Sequence, residues 1–287
     1  MSPRVHDAGG SDGPAWSLPS LREAKYSQSL ERGLAVLGCF TPKRPLLGIA
    51  ELADELGMSR STTHRYAITL VALGYLEQDA SRKYRLGLRV TDLGMAALGA
   101  TGLREHAHPY LQELRDRTSY TTSLGVLEGA EVVYVDRLRS YRRAQAKLDL
   151  DLRPGSRVPA HCTAMGKLLI ANLHEPELRD LLSNARLTRR AANTITSKAK
   201  LREQLDEIRE LGFAASDQEL APGLLAIAAP VRDETRECVA AVSIAAPCSV
   251  ISLDEFADAL GPHLRSSADR ISARLGYRRD DETLGEG

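Results

Sequence analysis

From Tyr26 onward, apolar residues recur at helical spacing: Leu30, Leu34 and Leu37 form a stripe that Val36 and Phe40 widen, until Thr41-Pro42 closes it. The next stripe, Ile49, Leu52, Ala53 and Leu56, falls at i, i+3, i+4 and i+7, and Gly57 follows where a helix needs a left-handed stop. Ser59 then caps a second short helix whose inward positions are Thr63, Tyr66, Ala67 and Leu70. Two short helices joined by a three-residue turn that contains glycine predict a helix-turn-helix. After it, Gly74-Tyr75-Leu76 opens a strand, Asp79 to Lys83 makes a polar turn, and Tyr84, Leu86 and Leu88 alternate on the return. That hairpin is the wing of a winged helix. Val90, Leu93, Gly94, Ala97 and Leu98 predict a linker helix that buries surface against a second subunit.

Beyond about Leu103 the texture turns to mixed helix and strand. His106 to Thr118, Thr163 to Leu173, Glu175 to Ser183 and Lys198 to Leu211 read as helices, and Leu253 to Leu275 as a final helical region interrupted at Gly261-Pro262. Thr122 to Leu127 and Glu131 to Leu138 read as a hairpin, Ala144 to Leu148 as weakly strand-like, and Leu225 to Val231 and Cys238 to Ala246 as buried strands. The predicted class is α+β: an N-terminal winged helix-turn-helix, a linker helix, and a C-terminal domain whose mainly antiparallel sheet is flanked by helices. The boundaries are a disordered arm over 1–20, the winged helix over 21–88, the linker over 89–102, the larger domain over 103–277 and a tail over 278–287.

A length of 287 residues with 43% hydrophobic content suits two domains. Apolar runs stop well short of a bilayer span and the N-terminus lacks a signal-peptide core, so a soluble, cytoplasmic protein is expected. The net charge is zero, yet residues 21–90 carry 11 Lys/Arg against 7 Asp/Glu while 91–287 carry 26 against 29. The excess cation lies where the winged helix lies. On the second helix, the outward positions Ser59, Arg60, Ser61, Thr62, His64 and Arg65 supply hydroxyls and a guanidinium of the kind that reads a major groove. Arg82 and Lys83 at the wing tip are phosphate contacts in the same reading. A solvated face of a helical bundle, or a winged helix used only for protein contacts, is the competing account.

No phosphate loop, dinucleotide fingerprint or metal-ligand spacing is present, so neither cofactor nor metal is expected. His106 and His108 lie two apart on a helix and diverge. Cys162, beside His161 and near a helix start that would lower its pKa, is the one candidate nucleophile; a hydrolase or transferase using it is the alternative function, against the simpler reading of a packed thiol. The stretch Val158 to Ala171 reads instead as a binding wall: a strand feeds a helix whose first turn has small residues, Thr163, Ala164 and Gly166, where backbone N–H groups can meet a carboxylate. Tight packing of that helix on the sheet would give the same pattern. Arg137, in phase with Val133 and Val135, would point inward and clamp an anion, whereas Arg139, Arg142, Arg143, Arg153, Arg157 and Lys167 nearby read mostly as solvated charge.

Several ordered blocks carry a likeness: SLERGLAVLGCF at Ser29 to Phe40, the helix-turn-helix and wing, VPAHCTAMGKLLIANL at Val158 to Leu173, DQELAPGLLAIAAPV at Asp217 to Val231, and AAVSIAAP at Ala240 to Pro247. From Tyr26 to Tyr277 the chain resembles the IclR family of bacterial transcriptional regulators. VDRLRS at Val135 to Ser140, joined to VPAHCTAMGK, is similar to the Pca and Pob branch, which regulates aromatic-acid breakdown through the β-ketoadipate pathway. The resemblance implies a non-enzymatic regulator that binds double-stranded operator DNA as a homodimer or dimer of dimers and holds a small organic acid. It implies an effector site of Thr163, Ala164, Met165, Gly166, Asp217, Ala226 and Ser243, to which phase adds Arg137. Ala226 stands where many relatives have Cys and Ala245 where a second Ser is common, which implies a larger, partly apolar effector such as an aromatic acid or ring-cleavage product.

Overall fold

The computed structural model describes residues 27–41, 43–99, 102–141 and 150–278, which fall into two compact units, Met1–Ala97 and Leu98–Gly287. The strand-like reading at Ala144 to Leu148, Arg142 and Arg143, the arm over 1–20 and all but the first residue of the tail lie outside the described residues.

In the first unit, α1 (Gln28–Gly38), α2 (Ile49–Leu56) and α3 (Arg60–Ala72) precede β1 (Leu76–Gln78) and β2 (Tyr84–Leu86), and α4 (Arg89–Gly99) crosses the division between units. Val36, Cys39, Phe40, Leu47, Leu52, Ala67, Leu70, Leu76 and Tyr84 form the core. The α1 stripe differs from expectation: Val36 is buried, but Leu30 and Leu34 are 64% and 56% exposed. Only the C-terminal end of α1 enters the small core, so the earlier turns keep their leucines outside. The wing gains a third strand position, because Leu47 and Tyr84 exchange both backbone hydrogen bonds at 2.8 and 3.0 Å. Tyr84 alone of its alternating set is buried; Leu86 and Leu88 are 39% and 81% exposed, since the core ends at Tyr84 and Leu76.

The second unit holds a six-stranded sheet in the order β5-β4-β3-β8-β7-β6, antiparallel at every described pairing. The strands are β3 (Thr121–Glu128), β4 (Glu131–Leu138), β5 (Arg157–Pro159), β6 (Ala214–Asp217), β7 (Leu224–Arg232) and β8 (Cys238–Pro247). On one face lie α5 (Leu103–Thr118) and α9 (Leu253–Arg274). There α5 buries Leu103, Ala107, Leu111 and Leu114 at helical spacing, against Phe256, Leu264 and Ile271 of α9. On the other face lie α6 (Ala164–Ala171), α7 (Glu175–Asn184) and α8 (Lys198–Leu211), with Leu168, Leu169, Leu178, Leu201 and Leu205 in a second core.

The helix α9 runs unbroken through Gly261-Pro262, against the expected interruption: one lost N–H is outweighed by burial of Phe256, Leu264, Ala268 and Ile271 on either side of it. The short strand β6, poor in β-branched residues, carries no alternating signal in its sequence. Among the described residues, no helix is long and apolar enough to cross a membrane.

The β3–β4 ladder is irregular at one point. Its register pairs Gly125 with Tyr134 but Leu124 with Asp136, leaving Val135 as an extra residue. Three consecutive residues of β4, Tyr134, Val135 and Asp136, are therefore buried, and alternation resumes out of phase.

Candidate nucleic-acid interface and effector cavity

The turn between α2 and α3 is built as its residues require: Gly57 adopts φ 60°, and Ser59 accepts the Thr62 N–H at 3.1 Å. Ser59 also donates its hydroxyl to Thr62 Oγ1 at 2.8 Å, so this pair holds the helix start. Thr63, Ala67 and Leu70 face the core, which leaves Arg60, Ser61, His64, Arg65 and Ile68 exposed along the opposite side. No acidic residue lies on α3, and no side-chain hydrogen bond or ion pair among the described residues occupies Arg60, His64 or Arg65. At the wing tip, Asp79 Oδ1 accepts the N–H groups of Ser81 and Lys83 at 2.9 and 3.0 Å and the Ser81 hydroxyl at 2.7 Å. Those bonds, the Ser81 hydroxyl first, hold the Asp79 carboxyl below its usual range. Arg82 stands at φ 62° beside it, and both Arg82 and Lys83 are exposed. By contrast, Arg85 is spent on Glu77 across the hairpin at 2.7 Å.

In the second unit, a cavity opens between the sheet and the start of α6. Its floor is Ser123, Ser216, Ser243, Ala226 and Ala245, brought together by the pairings Ser123 with Ser243, Ala226 with Ala245 and Ser216 with Ala226. The three serine hydroxyls make no hydrogen bond among the described residues. Tyr134 and Arg137 close one side, Leu152, Leu220 and Leu224 another, and Thr163, Ala164 and Met165 bring the α6 N-terminus. Thr163 caps that helix by accepting the Gly166 N–H at 3.0 Å, while the N–H groups of Ala164 and Met165 belong to the first turn, where the helix itself supplies no acceptor. Burial pushes the Tyr134 phenol up to about 12, so it is a neutral O–H donor at physiological pH.

Of the residues singled out in the sequence, Arg137, Cys162, Thr163, Ala164, Met165, Ala226, Ser243 and Ala245 line this cavity, and Gly166 and Asp217 do not. Asp217 follows Ser216 on β6 and so takes the opposite side of the strand, where it accepts from Gln218 Nε2 at 3.1 Å. Gly166 serves close packing: a Cβ there would lie 2.1 Å from the Ala160 carbonyl oxygen. Arg137 reaches the cavity for a different reason from the one phase suggests. Val135 belongs to the core under α5 and α9, and only the extra residue in β4 returns Arg137 to the side of Tyr134. Its Nε donates to the Leu152 carbonyl at 3.1 Å. Sequence reasoning misses Tyr134, Ser123, Ser216 and the three leucines, because they come from distant segments that only the sheet register unites. Pairing, not spacing, gathers them.

Among the described residues, the other cations singled out near Arg137 are engaged. Arg157 pairs with Glu128 and Glu131 at 2.5 and 3.5 Å, and Arg139 and Arg153 pair with Asp151 at 3.3 and 3.0 Å. Lys167, expected as solvated charge, is instead fully buried against Glu219 and donates to Gln204 Oε1 at 2.8 Å; eight consecutive buried residues of α6 leave it no route to water. Cys162 does not have the environment of a nucleophile. Burial pushes its thiol up to about 11, the reverse of what a helix start would do, and its S–H donates to the Pro159 carbonyl at 3.4 Å. The neighbouring His161 ring engages the Thr188 carbonyl at 3.1 Å.

Two family profiles match the chain: IclR helix-turn-helix domain over residues 29–80, and Bacterial transcriptional regulator IclR C-terminal over residues 95–273. The chain is 35% identical over 251 residues to the HTH-type transcriptional regulator XynR of Escherichia coli (strain K12), covering 87% of this chain and 98% of that protein. It is 32% identical over 250 residues to the Pca regulon regulatory protein of Pseudomonas putida, covering 87% and 84%. Among solved structures, an IclR homolog from Microbacterium hydrocarbonoxydans complexed with 4-hydroxybenzoate is similar at a TM-score of 0.76 and 28% identity, covering 86% of this chain and 98% of that one.

Proposed function

Since the chain belongs to the IclR family of bacterial transcriptional regulators, a family of DNA-binding proteins and not of enzymes, we propose that it regulates genes of aromatic-acid catabolism in response to a small aromatic acid or ring-cleavage product. The cavity carries this reading. It combines a neutral phenol, three serine hydroxyls, two helix-start N–H groups and an arginine with leucine and alanine walls, a set that suits a flat carboxylic acid bearing hydroxyl groups. The similar protein complexed with 4-hydroxybenzoate and the similar Pca regulator support the same class. Titrating 4-hydroxybenzoate, protocatechuate and β-ketoadipate against thermal unfolding tests it: a binder at about 100 times its Kd adds about 2.7 kcal/mol, and no shift with any of the three would refute it.

Operator DNA is read by α3, with Ser59, Arg60, Ser61, Thr62, His64 and Arg65 at the major groove and Arg82 and Lys83 on phosphates. Arg65→Ala should cost about 1–3 kcal/mol of operator binding and relax base preference, while Lys83→Ala should weaken all duplexes alike and lower the salt slope by about 1. Binding measured across a salt series on operator and random duplex checks both, and equal effects at the two positions would contradict the orientation of α3. The active form is a homodimer or dimer of dimers, to which the exposed leucines of α1 and Leu93 of α4, 57% exposed, offer apolar surface.

A further inference from the structure

We propose that Asp136 is a two-position switch between the effector cavity and the start of α5, exchanging His108 for Arg104 as its partner. The proposal rests on the reading that an effector sits against Arg137. The extra residue at Val135 sets which way each of the next two side chains goes: Arg137 lines the cavity, and Asp136 is buried, 2% exposed, toward α5. Asp136 Oδ1 accepts the Arg137 backbone N–H at 2.9 Å, so displacement of the Arg137 main chain is passed to the carboxylate.

On α5, His108 Nδ1–H donates to Asp136 Oδ2 at 2.6 Å. One turn earlier, Arg104 already pairs with the other oxygen, its Nε 3.9 Å from Asp136 Oδ1, within ion-pair range but too far for a hydrogen bond. That nitrogen is buried and has no hydrogen-bond partner among the described residues. A buried donor left unmatched beside a buried carboxylate marks a second arrangement, which a closing of about 1 Å would complete. His108 can leave, because its side chain is 42% exposed and water can replace the carboxylate. An acid drawing on Arg137 shifts Asp136 from His108 to Arg104, and both partners stand on the turns of α5 that follow the linker in the chain. Two discrete arrangements of one carboxylate are what a ligand needs in order to bias a distant site.

Ligand-free operator binding by the full chain tests the switch without relying on the identity of the acid. His108→Ala frees Asp136 for Arg104 and Arg104→Ala forbids that state, so the two should move operator affinity in opposite directions, each by about threefold or more. His108→Asn, which restores a donor near the Nδ1 position, should return the wild-type value. A general loss of packing would shift both variants the same way and would not be rescued. Affinities within about twofold of wild type for both variants, or movement of both in one direction, would overturn the proposal. Failure of the cavity reading shows separately, as a wild type whose thermal unfolding ignores the acids while the two variants still diverge.

Discussion

Replacing Lys167 by Met should destabilise the C-terminal unit by about 3–5 kcal/mol, the cost of leaving a buried carboxylate without its counter-charge. Lys167 is 0% exposed and Glu219 5%, so neither can turn to water when the other is removed. Burial presses the Lys167 ammonium below its usual pKa, and the Glu219 carboxylate beside it opposes that shift. Glu219 Oε2 already lacks a hydrogen-bond partner among the described residues, so the carboxylate has little else to fall back on. The double variant Lys167→Met, Glu219→Leu should recover most of the loss, because an apolar pair avoids the desolvation that the ion pair must offset. Denaturant unfolding of both proteins decides it. A single variant that loses under about 1 kcal/mol would show that the carboxylate finds another partner.

Replacing Gly166 by Ala should cost about 3 kcal/mol or more, at the upper end of overpacking effects. The added Cβ would meet backbone rather than a movable side-chain tip, 2.1 Å from the Ala160 oxygen and 2.4 Å from its Cα. Relief requires α6 to lift from the single 3-10 turn, Ala160–Cys162, that precedes it, and this would carry Thr163, Ala164 and Met165 away from the cavity. Weaker binding of any effector should therefore accompany the lower stability. Gly33→Ala in α1 is the control: its nearest neighbour would be a Tyr66 ring carbon at 3.9 Å, so a change within about 1 kcal/mol, toward greater stability, is expected in thermal unfolding. Similar losses at both glycines would remove the steric explanation.

The N-terminal unit is legible in the sequence because its signals are local. Leu52 and Ala53, the left-handed Gly57, the Ser59 cap and the Thr63, Ala67 and Leu70 face each depend on residues within a few positions of one another. Leu30 and Leu34 mislead because a periodic stripe says which residues share a side, not whether a partner covers that side. In the larger unit the helices and long strands can be read from periodicity, but the cavity cannot. Ser123, Ser216 and Ser243 meet through strand register, which depends on pairings between distant segments. A count one position off exchanges Ser216 for Asp217. Lys167 looks like solvated charge because nothing in its immediate neighbours shows that Glu219 lies opposite.

The added amino acid in β4 also bears on how homologues are to be compared. A relative lacking one letter there would close a regular ladder, with its acidic residue still opposite Leu124 and its basic one still opposite Ser123, so both would keep their layers. Counting strict alternation through the slip would instead put the basic residue in the layer of Val135, so a gap has to be opened there before preferences are transferred across the group.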